Sequence, residues 1–149
     1  MVEIAFYQLR RTPLEKALPK LLEKVLESGR RAFVLAASEE RAEALNAALW
    51  TYDQGSFLPH GTARDGQSER QPIFLATDDT NPNGAEIAVM VDGIAPADPG
   101  RFERCLDMFD GTDQAALEAA RARWRAHKER GDAVTYWEQT QSGGWEQRA

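Results

Sequence analysis

Arg31-Ala32-Phe33-Val34-Leu35-Ala36-Ala37, followed at once by Ser38-Glu39-Glu40, is the stretch that decides the fold. A nearly continuous apolar run of this length suits a strand covered on both faces. Ser38 behind it, with carboxylates in the next turn, starts a helix that reaches about Trp50. Ala42, Leu45, Ala48 and Leu49 form the apolar stripe of that helix. Upstream, Glu3-Ile4-Ala5-Phe6-Tyr7-Gln8-Leu9 reads as a strand. Thr12-Pro13 then opens a helix that buries Leu14, Leu18, Leu21, Leu22, Val25 and Leu26 and stops at Ser28-Gly29. Pro19 is awkward in its interior and is expected to kink it or delay its start. Strand, helix, strand, helix at this spacing signals a βαβ unit with a parallel pair.

Downstream, the spacing predicts a loop over 51–71, strands at 72–76, 87–91 and 105–109, and a last helix from a Thr112 cap to Arg130. The expected architecture is a three-layer α/β domain, Rossmann-like, with a mostly parallel central sheet. The domain is expected over 1–137, with 138–149, which carries Ser142-Gly143-Gly144, as a mobile tail. A chain of 149 residues suits one such domain.

The composition narrows the function classes. The single cysteine, Cys105, lies in an apolar stretch and reads as a buried, inert thiol. The acidic start Met1-Val2-Glu3-Ile4 does not look like a signal peptide, and no stretch approaches the roughly 20 apolar residues of a membrane span. The cytoplasm is the expected location. Net charge is −6, yet residues 119–130 hold Arg121, Arg123, Arg125, Lys128 and Arg130 against Glu129 alone. That segment carries +4 and leaves −10 for the remainder. Such a balance repels a polynucleotide but tolerates a short acidic peptide.

No catalytic motif emerges. Dinucleotide binding needs glycines in the first strand-to-helix loop, where the backbone approaches the pyrophosphate. This loop is Gln8-Leu9-Arg10-Arg11-Thr12-Pro13, without a glycine. His60 and His127 are the only histidines and, with one cysteine, complete no closed zinc site. Asp78, Asp79, Asp92 and Asp98 could gather around magnesium, but aspartates in such turns ordinarily cap the backbone. No lysine stands between Lys24 and Lys128 to serve a nuclease site. Ser56 and His60 read as loop residues rather than a nucleophile pair.

The last helix is the informative element. At about 100° per residue, Ala115, Ala119, Ala122 and Ala126 fall in one narrow stripe, expected to lie against the sheet. Leu117, Arg121, Trp124, Arg125 and Lys128 share another face, with Trp124 roughly opposite the alanines and expected to add little to the core. Two readings stand for this face. Trp124 lies over a neighbouring loop with the arginines as a solvated rim, or the face binds a partner. A partner would be single-stranded bases stacked on the indole, or a peptide with carboxylates and one apolar side chain. Around Trp50 and Phe57-Leu58-Pro59, large apolar groups gather at a sheet margin, either capping the core or forming a second patch.

Taken together, Phe6-Tyr7-x-Leu9, Leu45-x-x-Ala48-Leu49-Trp50, Ser56-Phe57-Leu58-Pro59-His60 and Arg121-x-Arg123-Trp124-Arg125, followed by Gly131, resemble the chi subunit family of bacterial DNA polymerase III. The resemblance implies a Rossmann-like domain that binds no nucleotide, needs no cofactor or metal, and has no catalytic site. It further implies an adaptor in the replisome that links the clamp loader to the acidic, aromatic-ended C-terminal tail of single-stranded-DNA-binding protein. The tail site implied here is Arg121, Trp124, Arg125 and Lys128, with Leu117 at its edge. Trp124 stands where a tyrosine is familiar, Arg125 where a lysine is, and Leu117 in the place of a lysine one turn earlier. The surface for the psi subunit, or another clamp-loader or helicase partner, corresponds to Trp50, Phe57 and Pro59. A direct single-stranded nucleic-acid binder using the basic helix is the rival reading.

Overall fold

The computed structural model describes all residues except 1, 52–59, 63–70, 78–82 and 97, and of Trp50 only the backbone. Strands β1 (Glu3–Leu9), β2 (Ala32–Leu35), β4 (Ile73–Ala76), β5 (Ile87–Met90) and β6 (Arg104–Asp110) are the apolar runs read from the sequence. β3 (Gly61–Thr62), β7 (Ala133–Gln139) and β8 (Trp145–Gln147) join them in one sheet of order β3-β4-β2-β5-β6-β1-β7-β8. All neighbours pair in parallel except β7 with β8, which are antiparallel. Helices α1 (Leu14–Glu27) and α2 (Glu39–Thr51) cover one face and α3 (Gln114–Glu129) the other. This is the expected three-layer α/β architecture with a mostly parallel sheet. No helix among the described residues is long and apolar enough to cross a membrane.

Alternation along each strand divides the core into two layers. Ala5, Leu9, Val34, Val89, Leu106 and Met108 face α1 and α2, meeting Leu18, Leu22 and Leu45. Ile4, Phe6, Phe33, Phe74, Met90, Cys105 and Phe109 face the other way, toward α3. Burial pushes the Cys105 thiol up to about 12, so it is inert at neutral pH.

Several local expectations change. α1 starts at Leu14 and runs on through the buried Pro19, so that proline does not delay it. Thr12 does not cap α1; its hydroxyl accepts from Gln139 Nε2 at 2.9 Å. α3 is capped by Asp113, whose Oδ1 accepts from the N–H groups of Ala115 and Ala116, while the Thr112 hydroxyl turns to Asp110. Residues 138–149, expected as a tail, hold the end of β7 and all of β8, because Ser142-Gly143-Gly144 is a hairpin turn with Gly143 at φ 91°.

The largest correction concerns α3. Ala115, Ala119, Ala122 and Ala126 are exposed, and the face that lies on the sheet centres on Ala120, which is fully buried, with Ala116 and His127 beside it. The phase of the pattern is as read, with Trp124 opposite the alanines, but the inner and outer sides are exchanged. The cause is on β6: Asp107, 1% exposed, accepts from Arg123 Nε and Nη2 at 2.7 and 3.0 Å. Burying Asp107 requires a cation above it, and Arg123 meets that need only if α3 turns this side inward. Below, the helix ends on Gly131 at φ 79°, whose N–H reaches Lys128, with Asp132 N–H reaching His127.

We predict that Arg123→Met, which leaves Asp107 buried without its cation, lowers stability to urea by about 3 kcal/mol. Ala126→Glu on the exposed stripe should change it by less than about 0.5 kcal/mol. Equal losses would return the alanines to the core.

Candidate functional site

The outer shoulder of α3, where the helix meets β7, brings together Leu117, Arg121, Trp124, Arg125 and Lys128. Leu117 and Trp124 are half-buried and pack against the Phe6 layer of the core, as do Val134 and Tyr136 of β7. Arg121, Arg125 and Lys128 are exposed. Lys128 Nζ stands 5.4 Å from the centre of the Trp124 ring, a cation–π distance one helical turn along. The indole Nε1 of Trp124 is buried without a hydrogen-bond partner. Trp124 is therefore a structural wall as well as a surface group, and the expectation that it adds little to the core is corrected.

The cations of α3 separate into two sets. Arg123 is held by Asp107, and Arg130 lies 3.3 Å from Asp132, which also meets His127 Nδ1 at 2.8 Å. His127 and Arg130 hold the Asp132 carboxyl below the usual carboxylate range. Arg121, Arg125 and Lys128 have no carboxylate within ion-pair distance among the described residues. Three cations with no carboxylate partner among the described residues thus share a helix face with a half-buried aromatic, an arrangement chemically suited to carboxylates and one apolar group.

Tyr136 is the residue that sequence reasoning missed, because β7 went unrecognised. It stacks on Phe6 at 6.2 Å, and its hydroxyl donates to Gln8 Oε1. Burial raises its phenol above 10.0, and the nearby Arg121 guanidinium opposes that rise. The alternation Val134, Tyr136 was the available signal.

Where a nucleotide-binding relative of this fold would hold a phosphate, this chain holds its own side chain. Gln139 is buried, and its Oε1 accepts from the backbone N–H groups of Arg10, Arg11 and Thr12 at 3.1, 2.9 and 3.2 Å. Of the other candidates, Asp92 binds Ala37 N–H and Arg41, and His60 is buried beside β3. Among the described residues no group of three His, Cys, Asp or Glu is placed to hold a metal ion. Ser56, Asp78, Asp79, Phe57 and Pro59, and the Trp50 side chain, lie outside the described residues.

The family model of the DNA polymerase III chi subunit, HolC, matches residues 1–135. The chain belongs to this family. The probable DNA polymerase III subunit chi of Rickettsia prowazekii (strain Madrid E) is 34% identical over 91 residues, which are 61% of this chain and 55% of that protein. The chain thus spans little more than half the length of that relative. The DNA polymerase III subunit chi of Pseudomonas aeruginosa PAO1 is 24% identical over 112 residues, 75% of this chain and 77% of that protein. The family is that of a replication subunit, and the matched region takes in α3 and the start of β7, ending just before Tyr136.

Because Trp124 packs on the core, Trp124→Ala should cost about 2 kcal/mol of folding stability in urea titrations. Trp124→Phe should restore most of it. An unchanged midpoint for Trp124→Ala would place the ring in solvent.

Proposed function

We propose that this chain is a non-catalytic adaptor of a bacterial DNA polymerase III holoenzyme, working in the cytoplasm at the replisome. In this reading the α3 shoulder holds the acidic C-terminal tail of single-stranded-DNA-binding protein and so links it to the clamp loader. The observation that carries it is the division of the α3 cations: Arg123 and Arg130 are paired within the chain, whereas Arg121, Arg125 and Lys128 have no carboxylate partner among the described residues and share the face of Trp124. Membership of the chi family supports the replication context. The tail's terminal aromatic packs on Leu117 and Trp124, and its carboxylates meet Arg121 and Arg125, with Lys128 completing the charge. Trp50, Phe57 and Pro59 are the proposed surface for psi or another clamp-loader or helicase partner.

An acidic, Phe-terminated peptide titrated against the protein, followed by indole fluorescence, tests this. Exchanging Arg121 and Arg125 together for alanine should weaken binding by about 2 kcal/mol without moving the unfolding midpoint, since both are exposed. Binding of the native protein should weaken as salt is raised. Unchanged affinity in the double variant would refute the reading. Oligo-dT that displaced the peptide at comparable concentration would replace it with direct nucleic-acid binding.

A further inference from the structure

We propose that the edge of β8 that pairs with no other strand among the described residues, together with a row of lysines on α1, is a second docking site that takes an extended acidic segment of a partner polypeptide by strand addition. β8 closes the sheet on one side. In the β7–β8 ladder, Thr140 N–H bonds Gly144 and Arg148 N–H bonds Tyr136. Pairing therefore alternates so that Glu146 faces β7, and the backbone N–H and C=O groups of Trp145 and Gln147 point out from the sheet. Such a row of alternating donors and acceptors is a template for another strand.

Trp145 holds this edge in place. On the α1 side of the sheet, Trp145 meets Tyr7 edge-on at 5.1 Å, and Tyr7 stacks on Trp137 at 6.4 Å. An edge already fixed by packing loses little freedom when a strand joins it.

Beside the edge lies a cavity of about 290 Å³ between α1 and the hairpin turn, lined by Lys16, Lys20, Lys24, Ser142, Gly143 and Trp145 among others. The three lysines are exposed and have no carboxylate partner among the described residues. Among the described residues no acidic side chain lines this cavity. Lysines four apart on a helix repeat about every 6 Å, and side chains on one face of a strand repeat about every 6.7 Å. A strand with a carboxylate at alternate positions therefore matches the lysine row in both sign and period. The edge favours a polypeptide over a nucleic acid, because a sugar–phosphate backbone offers no regular row of N–H groups for the carbonyls of Trp145 and Gln147.

The experiment uses the full chain and a synthetic peptide of alternating Glu and Val, with amide exchange read by NMR. The peptide should slow exchange at the Trp145 and Gln147 amides at least tenfold and leave Glu138, already inside the ladder, unchanged. Reversing Lys16, Lys20 and Lys24 together to glutamate should lower affinity at least tenfold. Gln147→Pro removes an outward N–H that the fold does not use, so it should weaken binding as strongly while the hairpin persists. The Arg121→Glu/Arg125→Glu variant should bind this peptide at the edge as the native chain does, so this site and the α3 site stand or fall separately. Affinity indifferent to the lysines would overturn the proposal. So would equal protection by oligo-dT, or protection that appears with protein concentration alone and marks a second copy as the occupant.

Discussion

The bond between Arg123 and Asp107 sets how everything on the α3 side is arranged. Asp107 stands on β6, in the middle of the sheet, among apolar neighbours. Burial pushes its carboxyl above the usual carboxylate range and Arg123 opposes that shift. A carboxyl so placed needs a donor, and the bidentate guanidinium fixes both the position and the rotation of α3. With that rotation set, helical spacing brings Leu117 and Trp124 down on the core layer that Tyr136 also packs against. Arg121, Arg125 and Lys128 are left on the rim. The cations at the surface are thus a consequence of one ion pair beneath it.

A second internal contact engages the backbone groups that would meet a phosphate in a dinucleotide-binding sheet. The N–H groups at the first strand-to-helix loop are the ones that meet phosphate in dinucleotide-binding domains. Here they converge on Gln139 Oε1. Gln139 belongs to β7, so the strand that borders the proposed tail site also engages the first strand-to-helix loop. The same strand carries β8, whose outer edge faces the lysines of α1.

The central strands were legible because they are buried on both faces and therefore written as unbroken apolar runs, as at 32–35 and 87–90. β7 was not, since Ala-Val-Thr-Tyr-Trp-Glu-Gln is half-buried along most of its length and mixes polar with aromatic residues. β3 has two residues, too few for any period to register. Phase alone groups Leu117, Arg121, Trp124, Arg125 and Lys128 on one face of α3. Which side points inward was not legible, because alanine suits a buried stripe and a solvated one equally, and nothing local to α3 shows that Asp107 lies beneath Arg123. Tertiary electrostatics decided what periodicity left open.

If the α3 shoulder is where an acidic tail sits, a shift map shows it directly. In ¹H–¹⁵N spectra of the chain with an excess of acidic, Phe-terminated peptide, the largest shifts should fall on the amides of Leu117, Arg121, Arg125 and Lys128, the Trp124 indole and Tyr136. Shifts centred instead on Ala115, Ala119, Ala122 and Ala126, or on α1 and β8, would contradict it.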